Sequence, residues 1–119
     1  MIKSTISEIG EFSYFEDEPI IILFNDLAPE GLREVCIIHN FEEKPEGDLL
    51  KVGSKIIFGE KEYEVVEIGH TANKTLRELG HASFYFDLDE GSELLPGSVS
   101  LSPHVLPLLN VGDSISFIY

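Results

Sequence analysis

Basic residues are scarce in this chain: eight Lys and Arg stand against 22 Asp and Glu over 119 residues, a formal charge of −14. Nucleic acids and anionic membrane surfaces both require a basic footprint, so the balance argues against either as a partner. Cysteine is scarcer still. Cys36 is the only one, which rules out a disulfide framework within the chain and makes a reducing cytoplasm the natural compartment. Set in an apolar run, Cys36 reads as a small core residue. Long apolar runs are missing: Ile20 to Phe24 is the longest and is far too short to span a bilayer. Ile2-Lys3-Ser4-Thr5 lacks the apolar stretch of a signal peptide. No proline- or serine-rich linker divides the chain, and its length fits one domain, residues 1–119. A glycine-rich phosphate loop, a G-x-S-x-G elbow, a C-x-x-C pair and an H-x-x-x-H pair are absent too. The acidic clusters Glu16-Asp17-Glu18 and Asp87-Leu88-Asp89-Glu90 lack the ligand spacing of a calcium loop and read as solvated turns. Neither a metal nor a cofactor is expected.

What is present is a succession of short strands. The apolar share, 43%, supports an ordinary core. Ile2 to Ile9 alternates and stops at Gly10, with the aromatic stretch Glu11 to Phe15 as its extension. Ile20 to Phe24 is apolar on both faces and so reads as a central strand. Asn25 to Glu34, with Pro29 and Gly31, has room for one helical turn at most. Val35 to Ile38 is a buried strand that ends at His39, and Glu42 to Asp48 is a polar loop. Gly59-Glu60 is a hairpin turn between Ile56–Phe58 and the half-buried, alternating Lys61–Ile68. Thr71 to Leu79 is the one convincing helix: Thr71 at its N-cap, Ala72, Leu76 and Leu79 on one face, Gly80 as its stop. His81 to Phe86, Val99 to Leu101 and Ile115 to Ile118 complete the strands. Val52-Gly53-Ser54-Lys55-Ile56-Ile57-Phe58 echoes Val111-Gly112-Asp113-Ser114-Ile115-Ser116-Phe117, because each is a glycine turn opening a strand. The expected fold is mainly all-β, a small closed or nearly closed β-barrel with one short α-helix.

The chemistry falls to four histidines. His104 reads as a surface residue, and His70 flanks the helix start. His81 sits at the helix C-terminus, where the macrodipole favours it for structural reasons alone. His39 ends the buried strand, the position from which a rigid scaffold hands a side chain to solvent, and imidazole is readily tuned near neutral pH. The bland alternative is that His39 caps its strand and bonds a neighbouring carbonyl.

Arg33-Glu34-Val35-Cys36-Ile37-Ile38-His39 resembles the Cys-x-Ile-His signature of the glucitol/sorbitol-specific enzyme IIA components of the bacterial sugar phosphotransferase system. Leu76-Arg77-Glu78-Leu79-Gly80-His81 matches that family's Leu-Arg-Glu-Leu-Gly-His segment, and Leu95-Pro96-Gly97-Ser98-Val99 resembles its Phe-Pro-Gly-Thr-Val turn, in the same order. The family's strand often continues His-x-His, whereas here Asn40-Phe41 follows His39. The resemblance implies a cytoplasmic phosphoryl carrier. His39 would accept a phosphoryl group, at Nε2, from the histidine-containing phosphocarrier protein. It would pass the group to a cysteine on the sugar-specific IIB unit, and glucitol/sorbitol would be phosphorylated as it enters with the membrane component IIC. A neutral ring nitrogen is a competent nucleophile, and the loose transition state asks mostly for positioning and charge neutralisation. One nitrogen of His39 is then expected to face outward, with the other held by an acceptor such as a backbone carbonyl. His81 is the candidate neighbour that supports the ring or neutralises charge. Arg77 reads rather as a partner of nearby carboxylates, and Thr71 with the helix-start amides is a geometric candidate for a phosphate cradle. Two other readings stay open. One is a binding or regulatory module of the same fold, with His39 buried or engaged and no transfer. The other is a small metal-dependent enzyme in which His39, His70 and His81 converge.

Overall fold

A computed structural model describes residues 1–14, 19–86 and 94–119 of the chain. Among the described residues, eight strands and two helices follow in the order β1 (Ile2–Ile9), β2 (Ile20–Phe24), α1 (Glu30–Arg33), β3 (Ile37–Phe41), β4 (Lys55–Phe58), β5 (Lys61–Ile68), α2 (Ala72–Leu79), β6 (Ala82–Tyr85), β7 (Ser98–Ser102) and β8 (Ser114–Ile118). They close into a barrel in the order β1-β3-β2-β6-β7-β5-β4-β8, with β8 hydrogen-bonded back to β1. Closure leaves no edge strand to solvent among the described residues. Two pairs are parallel, β2 with β3 and β6 with β7. A parallel pair needs a crossover connection, and Asn25–Cys36 supplies the first of these with α1 in its middle.

The alternation read in the sequence becomes the inside and outside of this barrel. β2 faces inward with Ile21 and Leu23, while Ile22 and Phe24 join Ala28, Cys36 and Ile38 in a second cluster outside the wall. The interior packs Phe58 edge-on against Tyr63, Phe84 and Phe86 at ring-centre distances of 5.7–6.0 Å. Gly59, at φ 64°, makes the hairpin turn that joins β4 to β5. The two echoed segments open β4 and β8, which lie side by side, and their turn glycines Gly53 and Gly112 have φ of 90° and 97°.

Several expectations need correction. His39 does not end its strand; β3 runs on to Phe41, which pairs with Ser4 and packs its ring 5.8 Å from that of Phe117. Glu11 to Tyr14 does not extend β1, and Phe15 lies outside the described residues, as do the acidic turns Glu16–Glu18 and Asp87–Gly91. Thr71 stands at the N-cap of α2, but its side chain makes no capping bond. Leu79, placed on the buried face of α2, is 37% exposed, because it is the last helical residue and the chain turns beneath it at Gly80. Gly80 is the left-handed stop expected, at φ 63°, with its N–H bonded to Leu76 O.

Candidate histidine site

β1 and β3 bring His39 into the barrel, not out of it. Ile37, His39 and Phe41 share the inward phase of β3; Ile2, Ser4 and Ile6 share that of β1. A bulge at Ser7 in β1, between the pairs Ile6–His39 and Glu8–Ile38, lies directly beside His39. The ring is 0% exposed. The expected outward-facing nitrogen is therefore absent: Nδ1 lies 2.8 Å from Ser4 Oγ, and Nε2 lies 2.7 Å from Gly80 O. The backbone-carbonyl partner anticipated for one nitrogen is present, but the other nitrogen is engaged too.

These contacts fix the protonation. A carbonyl oxygen only accepts, so Nε2 carries the hydrogen and donates it to Gly80 O. Burial pushes the ring's pKa down from 6.5 to about 4, against the opposing pull of the Gly80 hydrogen bond. His39 is thus neutral at pH 7. Nδ1 holds the lone pair and accepts from the Ser4 hydroxyl. Among the described residues no charged side chain bonds the ring; its other close neighbour is Phe41, edge-on at 5.2 Å.

The turn that ends α2 covers His39 and presents His81. A Cβ on Gly80 would lie 3.1 Å from His39 Nε2 and 3.0 Å from Asn25 Cβ, so a neighbour would have to give, and at φ 63° a side chain is strained whatever the space. Asn25 is held there by its own N–H to Leu79 O, 3.0 Å. His81, one residue on, is half-buried. Its Nδ1 donates to Leu23 O at 3.0 Å, and its ring lies 4.5 Å from that of Phe24. One half of the pattern expected of His39, a ring nitrogen held by a backbone carbonyl, is thus found at His81.

The remaining candidates do not join this site. His70 and His104 are exposed on other turns. Thr71 is nine residues before Gly80 along α2, roughly 13 Å at the helical rise, and its N–H is taken by Pro96 O. Arg77 pairs with Asp48 at 3.4 Å, the carboxylate role anticipated for it. Among the described residues, no three His, Cys, Asp or Glu gather as a metal would need, so the metal-dependent reading lacks its convergence. Ser4, Asn25 and the Gly80 carbonyl were missed from the sequence. Ser4 alone left a signal there: it is a polar residue in the apolar phase of an alternating strand.

Known proteins resemble the chain along its length. The family model described as "PTS system glucitol/sorbitol-specific IIA component" matches residues 1–116. The PTS system glucitol/sorbitol-specific EIIA component of Escherichia coli (strain K12) is 32% identical over 117 residues, covering 97% of this chain and 92% of that protein. The protein of the same description from Shigella flexneri gives the same identity and coverage. The crystal structure of a PTS system IIA component from Enterococcus faecalis V583 superposes with a TM-score of 0.91 at 28% identity, covering 98% of this chain and 99% of that one.

Proposed function

The chain belongs to the glucitol/sorbitol-specific IIA component family of the phosphotransferase system, and from that premise we propose that it is a cytoplasmic phosphoryl carrier whose acceptor is His39. The histidine-containing phosphocarrier protein is the donor. The sugar-specific IIB unit is the recipient, and glucitol/sorbitol is the sugar that the system phosphorylates.

The observation that carries the assignment is the state of the His39 ring. An imidazole held neutral needs no deprotonation to an uncharged form before it attacks, and both its partners, a hydroxyl and a carbonyl, are uncharged and can let go. The burial sets a condition: with Gly80 O 2.7 Å from Nε2 there is no room for a phosphoryl group, so transfer requires the Gly80–His81 turn to swing away. The arrangement described is the closed, resting one.

A second reading has its own support. His81 is only half-buried and donates Nδ1–H to Leu23 O, so its ring is held by a backbone carbonyl without being enclosed. One experiment decides among these. The chain is incubated with the phosphocarrier protein, its upstream kinase and phosphoenolpyruvate, and the acid-labile phosphate is located by mass spectrometry. A label on His39 that is lost in His39→Ala supports the first reading. A label on His81, retained in His39→Ala, replaces it with the second. No label beside an active control carrier refutes both and leaves a binding or regulatory module, which the burial of His39 would then explain.

A further inference from the structure

Ser4 lies in the floor of the site, 0% exposed, with its hydroxyl 2.8 Å from His39 Nδ1 and no other partner among the described residues. The resting ring has its hydrogen on the wrong nitrogen for attack at Nε2. Gly80 O obliges Nε2 to be the donor, so the lone pair points into the barrel at Ser4. For Nε2 to attack, the ring must carry its hydrogen on Nδ1 instead, and Nδ1 must then find an acceptor in the same buried place. A carboxylate or carbonyl opposite Nδ1 would forbid the resting tautomer, and a backbone N–H would forbid the reactive one. A hydroxyl serves both, by rotating its hydrogen with no heavy atom displaced. Ser4 is the side chain at that position, held between Phe41 on β3 and Ile115 on β8.

We propose that Ser4 is a positioning residue for phosphoryl transfer, the reversible hydrogen-bond partner that lets His39 exchange its resting Nε2–H tautomer for the Nδ1–H tautomer that attacks. The inference rests on the reading of His39 as the acceptor. In the step, the Gly80 turn opens the ring to water, Nδ1 takes a proton from water and Nε2 releases its hydrogen to water, with no net change. The Nε2 lone pair forms the N–P bond as the P–N bond to the donor's phosphohistidine breaks. That bond's electron pair returns to the donor ring nitrogen. Nδ1–H then donates to Ser4 Oγ, which holds the phosphorylated ring in plane. Return transfer runs the same changes backward.

The test is transfer from the phosphorylated phosphocarrier protein to the full chain, wild type against Ser4→Ala and Ser4→Thr, with nitrogen NMR of the histidine rings. Loss of one hydrogen bond made by the reacting ring predicts a kcat lower by about tenfold in Ser4→Ala, with KM for the carrier unchanged. Ser4→Thr, which keeps the hydroxyl on a β-branched residue suited to a strand, recovers most of that loss. In phosphorylated wild type the His39 Nδ1 signal is that of a protonated nitrogen. A wild-type kcat in Ser4→Ala, with the label at His39, overturns the proposal and leaves the carrier assignment standing. Equal losses in Ser4→Ala and Ser4→Thr, with unchanged ring signals, reduce Ser4 to a packing residue and overturn it as well. A label that survives His39→Ala overturns the assignment of the acceptor, and the role of Ser4 with it.

Discussion

Acidification is the perturbation that reads the closed site most directly. The folded pKa of His39 is about 4, and its ordinary value is 6.5. A group with a depressed folded pKa takes up its proton more readily in the unfolded chain, so the unfolded state gains on the folded one as pH drops below 6.5. The loss continues until the folded ring also titrates near 4. Linkage puts it at about 2 kcal/mol between pH 7 and pH 5, and about 3 kcal/mol by pH 4. The wild-type curve alone does not isolate the contribution of this ring. The comparison is with His39→Gln, which lacks the titrating ring. Urea unfolding at pH 7, 6 and 5 gives both stabilities, and the gap between the two proteins is expected to narrow by about 2 kcal/mol across that range. In parallel, the ring proton signals of His39 are expected to stay flat from pH 8 to pH 5. A His39 midpoint near 6.5, together with parallel stability curves, would show that the ring is open to water in solution and would refute the closed resting state.

Four further outcomes are expected. Gly80→Ala forces a Cβ into a left-handed position at φ 63°, 3.1 Å from His39 Nε2, and should lower stability by about 1–2 kcal/mol, read as a lower thermal midpoint. Asn73→Ala removes the side chain that accepts from Leu49 N and Leu50 N and donates to Leu50 O, and should cost on the order of 2 kcal/mol in urea unfolding. Arg77→Ala breaks an ion pair with Asp48 that is largely solvated, so stability should fall by less than about 1 kcal/mol and the rate of phosphoryl transfer should stay within twofold, a ratio that assay measures directly. With a formal charge of −14, transfer from a partner that docks through a basic face should slow as salt rises from about 50 to 500 mM; a flat profile refutes electrostatic steering.

Local elements were legible because local chemistry decides them. Ile2–Ile9 and Lys61–Ile68 alternate with a period of two, Ile20–Phe24 is apolar throughout, and each appears as a strand with the limits the pattern suggests. Gly59 and Gly80 mark positions where positive φ is needed, and both turns fall there. The order of strands around the barrel has no such local signature. β1 pairs with β3 and β8, and the chain from Ile2 to Ile118 must close before those neighbours exist. The Ser7 bulge was invisible for the same reason, since it is defined by the partner strand. Asn73 is a further case: it looked like an ordinary helix residue, yet its amide ties α2 to the backbone at Leu49 and Leu50.

The site itself was half legible, and the missing half follows from phase. The sequence places His39 at a strand end because Val35 to Ile38 is a continuous apolar run, and such a run hides which residues face inward. Once Phe41 extends the strand, His39 falls in step with Ile37 and Phe41, and its burial becomes a necessity of the pleat. The same step places Ser4 between Ile2 and Ile6 on the inward phase of β1. Each residue alone is then a buried polar group of the kind that costs stability unless paired. On adjacent antiparallel strands, with Ser4 opposite Phe41 and Ile6 opposite His39, they lie on neighbouring pairs of one face and can pair with each other. The second ring nitrogen still needs a partner, and neither strand offers one. The Gly80 carbonyl at the end of α2 supplies it, 2.7 Å from Nε2, which ties the Leu-Gly-His segment at residues 79–81 to the distant histidine; on the proposal that His39 is the acceptor, the α2 turn is the part that must move.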